Sequence, residues 1–320
     1  MRELLAHRDF RNLFLAQCAS LLGDSIFLVA LAFAVLDATG SAAQLGTVLA
    51  CGSALLVASF LISGVWADRL PRLRVMISAD VVRLVSQLAL AALLFTDRAN
   101  LAWLIALYGL SSIASAFFTP ARTGLIPQLL EPRLLMAGNG LLASAQHGLA
   151  IAGFAGGGLL VAAAGSSGAI AIDALTFAVS ALLLLRIATP PTTVTAPREP
   201  FLRELAIGWR EVASRRWLWL IVLGASVFLL TFEAPLQVVG PVVMRRSYDG
   251  AATWGLLGAA LATGALIGAM LAPRAWLPRP MLVSICLFFA TVVQPLPRRA
   301  RRASPRAAPA AARPGSPARG

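Results

Sequence analysis

Two carboxylates stand where carboxylates are costly. Asp24 follows Gly23 inside an apolar run from about residue 11 to 36, and Glu233 lies deep in another from about 217 to 243. A charge at the centre of a hydrocarbon layer costs about 2.5–3.5 kcal/mol on insertion scales. A carboxyl kept there is a candidate for taking up and releasing a proton, or for holding a cationic group. Asp80 and Arg83, three residues apart in the run 74–95, can pair with each other across one helical turn. They are expected to form a structural charge relay with Asp68 and the arginines of the loop before them. Asp173, in the run 168–187, is expected to be structural. Gln17, Gln146 and His147 are candidate donors, lining a cavity or bonding between helices.

Other chemistry is missing from the sequence. Cys18, Cys51 and Cys286 are far apart inside apolar runs, and His7 and His147 have no second ligand at a useful spacing, so no metal site is implied. There is no GxxxxGK[ST] loop for nucleotide phosphates and no Ser/His/Asp or Cys/His constellation. Neither an enzyme nor a cofactor is expected.

The elements that must position these groups are long apolar helices. Of the 320 residues 58% are apolar and 13% charged, about half the charge of an ordinary soluble domain. Nine runs are predicted to span a bilayer: 11–36, 43–66, 74–95, 101–120, 134–163, 168–187, 217–243, 250–272 and 279–294. All 27 basic residues are Arg. Sixteen fall in alternate loops containing Arg11, Arg72, Arg133, Arg210 and Arg274, whereas the opposite loops hold only Arg98, Arg245 and Arg246. This bias places the N-terminus and the loop 188–216 in the cytoplasm. Within that loop Leu202, Leu205, Trp209 and Val212 recur at helical spacing, as in an interfacial helix or an ordinary linker helix. The net charge of +13 is not read as a nucleic-acid footprint: seven Arg lie in the Arg/Pro/Ala segment 295–320, leaving +13 − 7 = +6 for residues 1–294. That last segment is expected to be disordered, and an aberrant reading frame would explain its composition.

The loop after the second run reads Gly64-Val-Trp-Ala-Asp68-Arg69-Leu-Pro71-Arg72-Leu-Arg74. It resembles the loop 2–3 signature of the major facilitator superfamily, with Pro71 where that family has Gly. Gly148, Gly153, Gly157 and Gly158 resemble the family's glycine-rich fifth-helix signature, with Phe154 in place of its Pro. Phe118-Thr-Pro120-Ala-Arg122, Ile126-Pro127 and Ala169-Ile-Ala-Ile-Asp173 are similar to the branch of enterobactin exporters and transmembrane secretion effectors. The resemblance runs from about residue 8 to 290. A partial echo of Gly64–Arg69 at Gly268–Arg274 places the start of a second half near Arg216.

The resemblance implies an all-α polytopic membrane protein with about nine of twelve helices. It would comprise a six-helix bundle over 1–187, a cytoplasmic linker over 188–216, an incomplete second bundle over 217–294 and a tail over 295–320. It implies a bacterial inner-membrane secondary transporter, a proton-coupled exporter of small amphipathic molecules such as siderophores or drugs, working by alternating access. Asp24 and Glu233 would be the coupling groups, and Gly64, Asp68, Arg69, Arg72 and Arg74 a conformational gate. The glycines of the fifth helix would pack helices closely. The partners expected are the lipid bilayer and a small-molecule substrate. The alternatives are a non-transporting remnant of such an exporter, or a membrane scaffold associating with another chain.

Overall fold

A computed structural model describes residues 2–67, 70–188, 203, 209–210 and 213–271. A short α1, Arg2–Ala6, precedes α2, Arg8–Thr39, followed by α3, Ala42–Ala67, α4, Arg72–Phe95, and α5, Leu101–Leu129. A 3-10 turn at Pro132–Leu134 leads into α6, Leu135–Leu184. After the linker come α7, Arg216–Phe228, a π-helical turn at Leu229–Glu233, α8, Ala234–Ser247, and α9, Ala251–Leu271. No strand occurs among the described residues.

Most boundaries follow the apolar runs, and the departures have local causes. The fourth run does not stop at Pro120; α5 continues through both Pro120 and Pro127. A proline inside a helix removes one ladder bond and disturbs the carbonyls before it. Arg72 of α4 donates to the carbonyl of Gly124, just ahead of Pro127. The fifth and sixth runs are not joined by a loop. They are two limbs of α6 that meet at Gly165, with φ 74° and ψ 171°, a conformation open essentially to glycine alone. The seventh run widens into the π turn immediately before Pro235, whose missing N–H cannot close the ladder there. Among the described residues, seven helices are long and apolar enough to cross a membrane when α6 is counted once; its two limbs would make eight. The ninth expected run, 279–294, lies outside the described residues, as do Asp68, Arg69 and most of the expected interfacial helix.

At one end of the bundle every described connection turns through a single residue with positive φ. These are Gly40 after α2, Asp97 after α4, Gly165 within α6 and Gly250 after α8. The Gly40 N–H closes on Leu36 O, and α5 starts with the Asn100 side chain accepting from Trp103 N–H at 3.0 Å. At the same end Arg245 reaches Asp37 at 3.1 Å and Ser166 donates to Asp37 at 3.1 Å. At the other end Arg133 bonds Glu131 and Glu3, holding the Glu131 carboxyl below its ordinary range.

The α2 helix is the axis of the bundle. Apolar residues from Ile26 to Leu36 form one core cluster with α3, α4, α6 and α9, and Phe10, Leu13 and Ala16 anchor a second with α4, α5 and α6. Between the two clusters lies a polar layer containing Gln17, Ser20, Asp80, Arg83, Gln87, Asp173 and Ser180, all buried. Large apolar side chains such as Val57, Leu61, Val85, Leu175 and Leu182 point outward, as suits lipid. Lipid tails are as apolar as leucine, so close van der Waals contact must hold the helices together. Gly52 seats Tyr108 and Gly109 seats Leu55 across α3 and α5. Gly153 and Gly157 lie against Ser25 and Ile26 of α2. Gly158 lies against Ala251 and Gly255 of α9. No described atom comes within 4 Å of a Cβ placed on Gly64 or Gly148.

These observations separate two kinds of glycine. Gly165→Ala has room for its methyl group, the nearest atom being Ser167 Oγ at 3.9 Å, so its expected cost of about 1–3 kcal/mol is backbone strain. Gly156→Ala, on a helix with no neighbour within 4 Å, should stabilise by up to about 1 kcal/mol. Thermal unfolding of the detergent-solubilised variants should move in opposite directions.

Candidate functional site

The polar layer is organised around one arginine. Arg83 sits on the buried face of α4 and is 3% exposed. Its Nη2 donates to Asp80 Oδ1, one turn back on the same helix. Asp80 is fully buried, and its other oxygen accepts from Ser180 Oγ on the second limb of α6 at 2.6 Å. The guanidinium lies between two rings, 4.7 Å from the centroid of Phe118 on α5 and 4.2 Å from that of Phe177 on α6. At these separations the ring faces attract the cation. Arg83 Nη1 is 3.7 Å from Asp24 Oδ1 on α2. One side chain therefore ties together all four helices of the layer.

Asp24 differs from Asp80 in access. Its side chain is 46% exposed, against 0% for Asp80, because it opens on a cavity of about 250 Å³. From α2 the wall is made by Gln17, Ser20, Leu21 and Asp24. Opposite them stand Arg83, then Phe118, Thr119 and Arg122 of α5, with Gln146 of α6 at the edge. Arg122 Nη1 donates to Gln17 Oε1 at 2.6 Å. Asp173 is also fully buried. A Cβ on Gly23, the residue before Asp24, would collide with its carboxylate and with Thr176. The missing side chain at position 23 is what lets the second limb of α6 bring Asp173 beside Asp24. Asp173 Oδ2 has no hydrogen-bond partner among the described residues.

The expected residues are thus partly brought together. Asp24, Asp80 and Arg83 form one network, reaching toward the cavity. The relay expected between this pair and Asp68 falls outside the described residues. Glu233 is not among the residues lining the cavity; it sits in the π turn and accepts from Gln237 Nε2 at 2.9 Å. Arg72 binds the Gly124 carbonyl and Arg74 is exposed. Gln17 and Gln146 line the cavity, and Gln17 bonds between helices as an acceptor from Arg122. Arg122 was counted with the loop arginines and is instead a cavity residue, because α5 continues past Pro120. The run Ser111, Ser115, Phe118 and Arg122, spaced near helical turns, was the signal for that continuation.

Apolar spans, a buried ion pair and a polar cavity between helices define a transporter-type membrane bundle. The family comparison agrees: residues 13–297 match the Major Facilitator Superfamily, and the chain belongs to it. It is 30% identical to the enterobactin exporter EntS of Citrobacter koseri, covering 83% of this chain and 64% of that protein. It is 24% identical to macrolide efflux protein A of Streptococcus pyogenes, covering 82% and 65%. With YkuC, an uncharacterised transporter of the same type in Bacillus subtilis, it shares 27% identity over 66% of this chain and 47% of the relative. The chain thus spans about half to two thirds of the length of these relatives. The fold is similar to the crystal structure of a bacterial homolog of the human lysosomal transporter Spinster in an inward-facing, unoccupied conformation. That match has a TM-score of 0.64 and 18% identity, covering 91% of this chain and 70% of that one. The protein is therefore an integral membrane protein of transporter ancestry.

Removing one partner of a buried ion pair leaves the other uncompensated, at about 3–5 kcal/mol. Arg83→Gln should therefore lower the thermal midpoint sharply. Adding Asp80→Asn should restore much of the loss, because the charge left behind is removed. A double-mutant cycle read by thermal unfolding in detergent checks this, and additive effects would contradict the pairing.

Proposed function

We propose that the chain moves a small amphipathic molecule across a bacterial inner membrane by alternating access, in the export direction, coupled to protons through Asp24. The observation that supports this most is Asp24 itself, a carboxyl open to an internal cavity yet 3.7 Å from a buried guanidinium. Three carboxyls, Asp24, Asp80 and Asp173, cluster around the buried guanidinium of Arg83. Asp24 is the one that solvent can reach. When it is ionised it competes with Asp80 for Arg83; when it is protonated the Arg83–Asp80 pair stands alone. The two states place different forces on α2 and α4, which is what coupling requires. A proton moving down 100 mV supplies about 2.3 kcal/mol.

In this reading the end bearing Arg72 and Arg133 faces the cytoplasm, and the cavity alternates between the two sides. The first six spans form one half, and the helices after Arg216 belong to the other. Part of their shared seam is the Gly158–Gly255 contact between the first limb of α6 and α9, where two backbones meet without side chains between them, beside Phe154 seated against Gly258. Small residues of this kind allow the close approach that holds helices together in lipid. Glu233, in a π turn of the seventh span, is a second coupling candidate; turns of this kind often mark functional positions. Export is supported by the efflux names of two relatives.

The test is substrate efflux from proteoliposomes across an imposed pH gradient. Asp24→Asn is expected to abolish the response to the gradient while leaving substrate exchange at equal pH. Glu233→Gln in the same assay decides whether the seventh span shares the role: gradient response lost means two coupling groups, response kept means one. Unchanged coupling in Asp24→Asn would remove Asp24 from the mechanism.

A further inference from the structure

The two charged ends of the cavity are not equivalent. At one end Arg83 is engaged by Asp80 and Asp24 and clamped between two rings. At the other end the only hydrogen bond of Arg122 among the described residues is to the neutral amide oxygen of Gln17. Its Nε, like that of Arg83, is buried without a partner, but unlike Arg83 it has no described carboxylate within ion-pair distance. Gln17 and Asp24 are seven residues apart on α2, roughly 10 Å along the axis at 1.5 Å per residue. Asp24 is therefore too far away to neutralise Arg122. Between them Ser20 lines the cavity, 2% exposed, with its hydroxyl also unpartnered. Phe118 and Leu21 supply apolar wall, and Ser115 and Thr119 a polar one.

An uncompensated guanidinium inside a lipid-embedded bundle is costly. A ligand that brings the missing negative charge recovers that cost. The planar fork of Arg122 suits an oxyanion with two acceptor oxygens. Gln17 and Ser20 stand beside it with further donors. We propose that Arg122, Gln17 and Ser20 form the anion-binding subsite for the transported molecule, which is a small amphipathic organic acid. Its carboxylate sits on Arg122 and its ring lies against Phe118 and Leu21. For its physiological meaning this rests on the transport reading above. It divides the cavity in two, with proton exchange at Asp24–Arg83 and substrate capture at Arg122.

The full chain in nanodiscs of zwitterionic lipid, probed with tritiated salicylate in a scintillation proximity assay, tests the subsite directly. Competition is measured with unlabelled salicylate, with uncharged salicylamide and with the cation benzylamine. Salicylate is expected to compete at least about tenfold better than salicylamide, roughly 1.4 kcal/mol. Arg122→Gln should lose that preference, Arg122→Lys should keep part of it, and Gly156→Ala, away from the cavity, should leave it in place. Retained preference in Arg122→Gln, stronger binding of benzylamine, or no displaceable salicylate binding by the unaltered protein would each overturn the proposal. Loss of binding in Arg122→Lys as well as in Arg122→Gln, with both variants unfolding as the parent does, would assign the site to guanidinium geometry rather than charge, and so supports it. Because the readout is equilibrium binding, it separates the two claims. Arg122-dependent binding without flux in proteoliposomes sinks the transport reading and leaves the subsite. Flux of cations that ignores Arg122 sinks the subsite and leaves transport.

Discussion

A guanidinium at the centre of a membrane-embedded bundle can be held only if everything around it cooperates. Arg83 needs a counter-charge, a lid over its faces and a way to keep lipid out. Asp80 supplies the first, fixed from behind by Ser180. Phe118 and Phe177 supply the second, one from α5 and one from α6. The third comes from the two apolar clusters that close above and below the polar layer. Those demands fix the mutual rotation of α4, α5 and α6. They also leave one approach to the cation open, along α2, and Asp24 occupies it. The cavity is the space that remains once this network is satisfied.

The glycines make the same network reachable. Position 23 has no side chain, so the second limb of α6 can press on α2 and carry Asp173 alongside Asp24. Positions 153 and 157 let the first limb cross α2 at backbone distance, and position 158 does the same toward α9. Two faces of one glycine-rich helix thus serve two neighbours. The contacts with α2 stay among the helices before residue 189, whereas the contact with α9 joins helices from before residue 189 to one from after residue 216.

Much of the bundle was legible from residue types alone. The apolar runs gave the number and order of most spans because hydrocarbon thickness leaves little freedom in helix length. Asp24, Asp80 and Arg83 were legible because an ionisable side chain in such a run is conspicuous. Their mutual geometry was not. Spacing pairs Asp80 with Arg83, but only the packing of α2 against α4 shows that Asp24 completes the group. Arg122 was hidden by Pro120, a residue that usually ends a helix and here does not. The break near Gly165 was legible in Gly165-Ser-Ser-Gly168, between the fifth and sixth runs; that it is a single non-helical residue rather than a loop was not. Glu233 was legible as an ionisable group deep in a span, and the resemblance made it a coupling candidate beside Asp24. Its hydrogen bond to Gln237 within a π turn was not legible, because depth along the membrane normal says nothing about which way a side chain faces.

The connections at the Gly40 end are short and limit how that end can move. One residue joins the limbs of α6, two join α2 to α3 and three join α8 to α9, so these are leashed pairs; five residues, 96–100, leave more slack between α4 and α5. A gap there opens more readily between the leashed pairs than inside one. Asp37, held at once by Arg245 and Ser166, fastens all three leashed pairs together. The number of independent moving bodies at that rim is accordingly small, set by the turns rather than by the helices they join.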